Sequence, residues 1–273
     1  MRMNLPPQPK RDVDSWMQAQ GPDGAPVALS IVVPAFNEER RLTPTLIDMI
    51  DFLDGRPGGY EIIVVDDGST DATSEVVKKF ERIRSQVRLL RLAKNAGKGH
   101  AVRVGMLNAH GERVLFADAD GATPIGEIAR LSAALDGGAD AAIGSRALRS
   151  DGTRVSTVWY RRLLGRIFNT TVNLVLLPRI ADTQCGFKMF RAGTAAEIFQ
   201  RQTADGFSFD VEILYLARKL GFSIAEVPIN WTNIPGSKVN LVVDSTRMLL
   251  DIFIFRVRHR HVAPRSLAAK SHP

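Results

Sequence analysis

The sequence predicts an α/β fold with a mostly parallel central sheet flanked by helices and closed by C-terminal amphipathic helices. Two observations carry that reading. Short apolar, β-branched runs alternate with stretches whose apolar residues recur at helical spacing, the order that builds parallel strands joined by right-handed crossovers. The polar clusters sit where the strands end: Asn37-Glu38, Asp66-Asp67, the loop at Lys98, and Asp118-Ala119-Asp120. In open α/β sheets, ligands bind outside the carboxyl ends of the strands, so clusters gathered on one rim point to a small-molecule site.

Taken in order, residues 1–26 are polar, rich in Pro and Gly and without an apolar signal-peptide centre, so a flexible lead-in is expected. Val27 to Pro34 reads as a buried strand and is followed by a helical pattern through Leu46, Ile47, Ile50 and Leu53 that ends near Gly55. Tyr60 to Val65 is the second strand. Asp71 with Ser74-Glu75 opens a helix carrying Val76, Val77, Phe80 and Ile83. Val87 to Leu92 is the third strand, and Asn95-Ala96-Gly97-Lys98-Gly99-His100 opens a helix through Val102 and Met106. Val114 to Ala117 is the fourth strand, Glu127 to Leu135 a helix, and Ala139 to Gly144 a fifth short strand.

The second half mixes cationic and large apolar residues. Trp159 to Leu177 reads as amphipathic helix with a basic face, suited to a membrane surface or to packing on the sheet. Asp182 to Lys188 reads as a polar turn leading into Met189-Phe190. Phe207 to Leu214 leads into a helix ending at Gly221, and Ile224 to Trp231 reads as one late strand. Leu241 to Arg260 closes the fold as a helix with apolar Met248, Leu249, Ile252, Phe253 and Phe255 and basic Arg256, Arg258, His259 and Arg260, a composition attracted to anionic lipid. A disordered tail is expected from residue 263 on.

Bulk properties narrow the classes. The chain has 273 residues, 45% hydrophobic and 24% charged, enough for a sizeable core. Cys185 is the single cysteine, which excludes an internal disulfide and any Cys-rich metal site. No apolar run approaches the roughly 18 residues that span a bilayer. The net charge of +7 permits nucleic acid, a membrane surface or an anionic substrate. The basic residues are interleaved with Leu, Ile and Phe rather than exposed stacking aromatics, so no nucleic-acid partner is expected.

The chemistry centres on Asp118 and Asp120. If strand geometry runs through the turn, both carboxylates point the same way. They then repel unless a cation lies between them. Mg²⁺ or Mn²⁺, bound through oxygen ligands and bridged to a diphosphate, is the expected occupant; a polar turn with no ligand is the alternative. Gly97-Lys98-Gly99 lacks the spacing of a phosphate-binding P-loop, and no Gly-x-Gly-x-x-Gly follows the first strand.

Together, Val33-Pro34-Ala35-Phe36-Asn37-Glu38, Val65-Asp66-Asp67-Gly68-Ser69-Thr70-Asp71, Asn95-x-Gly97-Lys98-Gly99 and Asp118-Ala119-Asp120 resemble the successive motifs of family 2 glycosyltransferases with a GT-A nucleotide-sugar-binding fold. Asp182 to Lys188, Phe209-Asp210-Val211-Glu212, and Asn230-Trp231-Thr232 with Gly236-Ser237-Lys238 bring the chain nearer to the dolichyl-phosphate β-glucosyltransferases than to the dolichyl-phosphate mannose synthases. The resemblance implies a catalytic domain over residues 27–240, with a nucleotide-binding half (27–146) and an acceptor-binding half (147–240), then a basic amphipathic helix over 241–262. It implies inverting, divalent-metal-dependent transfer of glucose from UDP-glucose to a polyprenyl (dolichyl-type) phosphate. The site would lie in the cytoplasm, peripherally attached to the inner face of a membrane.

The same resemblance assigns residues. Pro34, Phe36, Asn37, Glu38, Asp66, Asp67, Lys98 and Asp118 would line the nucleotide-sugar site, with Lys98 reaching the base or the diphosphate. Asp118 and Asp120 would hold the metal; the position that supplies a third ligand in mannose synthases is Ala122 here. Arg146, Arg161 and Arg162 would bind the acceptor phosphate, with Gly165 where those synthases have Ser. Asp120, Asp182, Gln184 and Asp210 would face the reacting groups. Asp182 or Asp210 would position the acceptor or act as a weak base; a helix N-cap is the plainer role for Asp210, and a turn carboxylate for Asp182. The remaining alternatives are a GDP-mannose-dependent synthase, another UDP-sugar enzyme of the family, and a nucleotide-binding module without catalysis.

Overall fold

The computed structural model describes residues 27–150, 152–156, 169–234 and 241–264. Its centre is a seven-stranded sheet of β1 (Val27–Ala35), β2 (Gly59–Asp66), β3 (Val87–Arg91), β4 (Arg113–Ala117), β5 (Ala141–Ser145), β7 (Phe187–Arg191) and β8 (Ile224–Pro228). The spatial order is β3-β2-β1-β4-β7-β5-β8. The first four strands are parallel neighbours, as the alternating pattern predicts. β6 (Val155–Ser156) and β9 (Trp231–Thr232) form a separate parallel pair.

Helices cover both faces. On one side lie α1 (Glu39–Asp54), α2 (Thr73–Glu81) and α4 (Ile128–Asp136), with Leu42, Leu46, Val77 and Leu131 buried against Ile31, Val33, Ile62 and Leu115. On the other lie α3 (Lys98–Leu107), α5 (Ala192–Phe199), α6 (Phe209–Lys219) and α7 (Leu241–Arg258), burying Val102, Ile198, Leu214, Ile252 and Phe255 against Val32, Val65 and Phe116. Strand residues alternate between these two cores, which is why the central strands read as unbroken apolar runs.

Four sequence expectations are corrected. Residues 187–191, read as the exit of a polar turn, form β7, the antiparallel strand between β4 and β5. Lys188 concealed it, because a lysine in a central strand breaks the apolar pattern. The fold accommodates its fully buried ammonium with Asp210, the Cys185 carbonyl at 2.6 Å and the Phe116 ring at 5.2 Å. The single late strand over Ile224 to Trp231 divides into β8 and β9, because after Pro228 the chain leaves the main sheet: the Trp231 N–H donates to the Arg154 carbonyl instead. Strand geometry ends at Ala117, so a turn rather than period-two alternation sets Asp118 and Asp120. Phe253 and Phe255, read together as apolar residues of a lipid-attracted helix, diverge: Phe255 is 1% exposed and Phe253 59%. Of the amphipathic segment from Trp159 to Leu177, residues 169–175 are helical, and 157–168 lie outside the described residues.

Candidate active site

At the carboxyl end of β1 the chain turns through Asn37, whose φ of 52° is in the left-handed region that Asn tolerates. Its side-chain oxygen accepts from the Thr70 N–H at 2.9 Å, and its own N–H donates to Ser69 Oγ at 2.8 Å. The Glu38 N–H donates to Thr73 Oγ1 at 2.8 Å, while its carboxylate takes a two-point bond from Arg41 at 2.6 and 2.7 Å. The β1–α1 and β2–α2 loops are thereby laced into one rim, with Pro34 in the last turn of pairing and Phe36 partly buried beside it.

Asp66 and Asp67 face inward. Asp66 is fully buried, accepting from the Ser69 N–H at 2.8 Å and from the Ser74 hydroxyl. Asp67 accepts from Asn95 Nδ2, the Ala96 N–H and the Gly97 N–H at 3.0, 2.7 and 2.9 Å. In this arrangement Asp67 shapes the loop that starts α3, and hence the placement of Lys98. Gly97 has φ 104°, and a Cβ there would overlap the Asp205 carbonyl, so only glycine lets the helix begin so close to residues 204–206.

Lys98 and Asp118 meet at 2.6 Å. Apart from that ammonium, Asp118 Oδ1 is buried without a hydrogen-bond partner among the described residues. Burial acts to lower the Lys98 pKa, but Asp118 and Asp210 outweigh it and the lysine stays firmly charged. Asp120 accepts from the Ala122 N–H at 3.0 Å. Burial, then the neighbouring charge of Asp118, pushes its carboxyl above the ordinary range. Crowded, partly desolvated carboxylates are what a divalent cation relieves. No group of three His, Cys, Asp or Glu side chains converges among the described residues. A metal held by Asp118 and Asp120 would therefore take its other oxygens from substrate or water, the habit of Mg²⁺ and Mn²⁺.

Gly186 was not singled out as a functional position in the sequence, yet it is in direct contact with this pair. The Asp118 N–H donates to its carbonyl at 3.1 Å, and a Cβ at residue 186 would fall inside the Asp118 carboxylate. A glycine entering a strand often marks such a close approach, which is the signal that could have found it.

The later motifs converge on the same end of the sheet. Asp182 binds Arg146 at three points: the backbone N–H at 2.9 Å, Nε at 2.7 Å and Nη2 at 2.9 Å. Burial would raise the Asp182 carboxyl, but Arg146 overrides it and holds the group below the usual carboxylate range. Glu226 accepts the Ala181 and Asp182 N–H groups at 2.8 and 2.7 Å, fixing that turn. Gln184 turns toward α7, its amide 3.0 Å from the Met248 sulfur. Asp210 lies in the first turn of α6, behind Ser208 at the cap position, so it is not the N-cap. Its carboxylate meets Lys188, and burial still lifts its pKa against the pull of Lys188 and Lys98. Cys185, fully buried, has its thiol pushed up to about 12 and is unreactive. The structure brings Asp118, Asp120, Lys98, Arg146, Asp182 and Asp210 into one electrostatically coupled group. Arg161 and Arg162 lie outside the described residues.

Residues 30–199 match the family model described as glycosyl transferase family 2. The chain is 40% identical over 252 residues to a dolichyl-phosphate beta-glucosyltransferase of Drosophila melanogaster, covering 87% of this chain and 77% of that protein. It is 38% identical over 244 residues to that of Homo sapiens, covering 85% and 75%. Among solved structures, glucosyl-3-phosphoglycerate synthase from Mycobacterium tuberculosis in complex with UDP superposes with a TM-score of 0.63 at 21% identity, over 95% of this chain and 87% of that one. The same synthase with Mn²⁺ and UDP-glucose gives 0.62 at 20% identity, over 95% and 86%. At such identities the structural likeness speaks for the fold.

Proposed function

Since the chain belongs to glycosyl transferase family 2 and is a glycosyltransferase, we propose that it transfers glucose from UDP-glucose to a polyprenyl phosphate of the dolichyl type, with inversion at the anomeric carbon. The observation that carries this reading is the crowded Asp118–Asp120 pair beside Lys98 at the carboxyl end of the sheet. The identity with dolichyl-phosphate beta-glucosyltransferases favours the donor and acceptor.

The rim of Pro34, Phe36, Asn37 and Glu38 takes the nucleoside, Asp66 braces the turn beside it, and the loop shaped by Asp67 presents Lys98 to the diphosphate. Asp118 and Asp120 would hold Mg²⁺ or Mn²⁺, which when bound would supply Lewis-acid stabilisation of the departing UDP. The acceptor phosphate is an anion at neutral pH, so it needs alignment more than deprotonation. Arg146 offers the N–H bonds that Asp182 does not use, with Arg161 and Arg162 as further cations. Asp182 and Asp210, engaged with Arg146 and Lys188, act by positioning.

The enzyme works on the cytosolic face of a membrane, attached through α7. Leu250, Phe253, Ile254 and Val257 are exposed on that helix beside Arg256, Arg258 and Arg260, and anionic lipid suits such a face. No described helix is long and apolar enough to cross a bilayer. Turnover of polyprenyl phosphate against UDP-glucose, UDP-N-acetylglucosamine, UDP-glucuronate and GDP-mannose, with Mn²⁺, Mg²⁺ or chelator, tests the reading. Glycolipid from UDP-glucose, lost with chelator, is expected; preference for GDP-mannose would overturn the donor assignment.

A further inference from the structure

The Asn230-Trp231-Thr232 motif has no part in the reading above, yet it is built into the acceptor end of the site. The Asn230 side chain donates to Glu127 at 2.6 Å and accepts from the Arg154 N–H at 2.8 Å. The Trp231 N–H donates to the Arg154 carbonyl at 3.0 Å, and the Thr232 N–H donates to the Ala122 carbonyl at 2.9 Å. Thr232 thus ties this short strand to the turn that carries Asp120. Between these anchors the Trp231 ring lies against Arg146, whose guanidinium carbon is 5.4 Å from the ring centroid.

The guanidinium is therefore held on two sides. Asp182 takes Nε and Nη2 along one edge, and the guanidinium carbon lies over the indole ring at cation–π distance. Nη1 and the second N–H of Nη2 have no partner among the described residues, and the Arg146 side chain is 32% exposed where Asp182 is 9%. A charged fork clamped along one edge and held over an aromatic ring, with its other edge open, is preorganised for a phosphate oxygen.

We propose that Trp231 is a positioning residue for the anionic acceptor: it fixes the plane of Arg146 so that the open edge of the fork meets the acceptor phosphate, in register with the Asp118–Ala122 turn. This rests on the assignment of Arg146 to acceptor binding. It concerns the phosphate head and not the lipid tail, so its effect is the same for a long-chain polyprenyl phosphate and for a short, water-soluble prenyl phosphate.

The test is steady-state kinetics of the full chain with both acceptors, alongside UDP affinity by calorimetry and thermal unfolding. Trp231→Leu keeps apolar bulk but removes the aromatic face; Trp231→Phe keeps a face. Trp231→Leu is expected to raise the acceptor KM by about five- to tenfold, the scale of a partly desolvated cation–π contact. UDP affinity should stay within about twofold and Trp231→Phe should recover most of the loss, as a positioning role requires. In an Arg146→Gln background, Trp231→Leu should add little, since both act through one group. If Arg146→Gln raises the acceptor KM and Trp231→Leu does not, the role of Trp231 is overturned and the acceptor assignment stands. If Arg146→Gln leaves the acceptor KM unchanged, that assignment falls and this inference with it. Equal losses of UDP affinity and acceptor KM, or a loss confined to the long-chain acceptor, would also overturn it.

Discussion

Gly186→Ala is the smallest change that should disable the site. The added methyl would sit 2.5 Å from Asp118 Oδ1 and closer still to Cγ and Oδ2. Ordinary heavy-atom contact is about 3.5 Å or more, so the carboxylate must retreat by roughly 1 Å or the β4–β7 pairing must open. The second route is resisted by the Asp118 N–H bond to the Gly186 carbonyl and by the register running from Ala117–Phe187 to Arg113–Arg191. Overpacking of this kind costs about 1–3 kcal/mol, or roughly 2–10 °C in Tm for a domain of this size. A misplacement of ~1 Å at a group that organises the reaction costs about a hundredfold in rate. The assay is kcat/KM for glycolipid formation across a Mn²⁺ titration, with Tm measured in parallel. Gly193→Ala is the control, because nothing lies within 4 Å of a Cβ there. Near-wild-type kcat/KM and metal dependence in Gly186→Ala would refute the claim that Asp118 must occupy the place the glycine leaves for it.

Other substitutions separate stability from activity. Asp120 is raised by burial and by Asp118, so its protonation favours folding and that contribution is lost as pH rises through the folded pKa. Asp120→Asn should therefore abolish transfer yet raise Tm by a few degrees at pH 7, with the gain shrinking as the medium is acidified; calorimetry across pH checks it. Asp182 has the opposite sign. Its stabilising contribution is present above the unfolded pKa and lost as pH falls through the depressed one, so Asp182→Asn should lower Tm at pH 7, with the deficit starting to shrink only as pH drops below the ordinary carboxylate value of about 4 and closing at still lower pH. Asp210→Asn strands the fully buried Lys188 ammonium and should cost about 3–5 kcal/mol in denaturant unfolding. Phe253→Ser should weaken sedimentation with anionic liposomes at unchanged Tm, whereas Phe255→Ser, from a buried position, should lose about 3 kcal/mol or more of stability.

What could be read without coordinates was whatever rests on local pattern. β1 to β5 and the helices between them follow from periodicity, and the polar strand ends from the apolar runs stopping at charged residues. What could not be read depends on partners distant in sequence. Arg146 and Asp182 are 36 residues apart, and neither alone signals a bidentate pair. Asp67 resembles any strand-end carboxylate until the Asn95–Gly97 loop folds over it. β7 was concealed because its lysine is neutralised by a residue 22 positions away. The two faces of α7 could not be told apart, since apolar residues lie on both: Ile252 and Phe255 pack on the core while Leu250, Phe253 and Val257 face out.

The most direct test follows labelled glucose. The enzyme, Mn²⁺, UDP-[14C]glucose and polyprenyl phosphate in anionic liposomes should move label into the organic phase as a β-linked glucosyl phosphate lipid, with an anomeric configuration opposite to that of the donor by NMR. Chelator and Asp120→Asn should each stop it. Label that remains in water, an α-linked product, or full activity in Asp120→Asn would contradict the account.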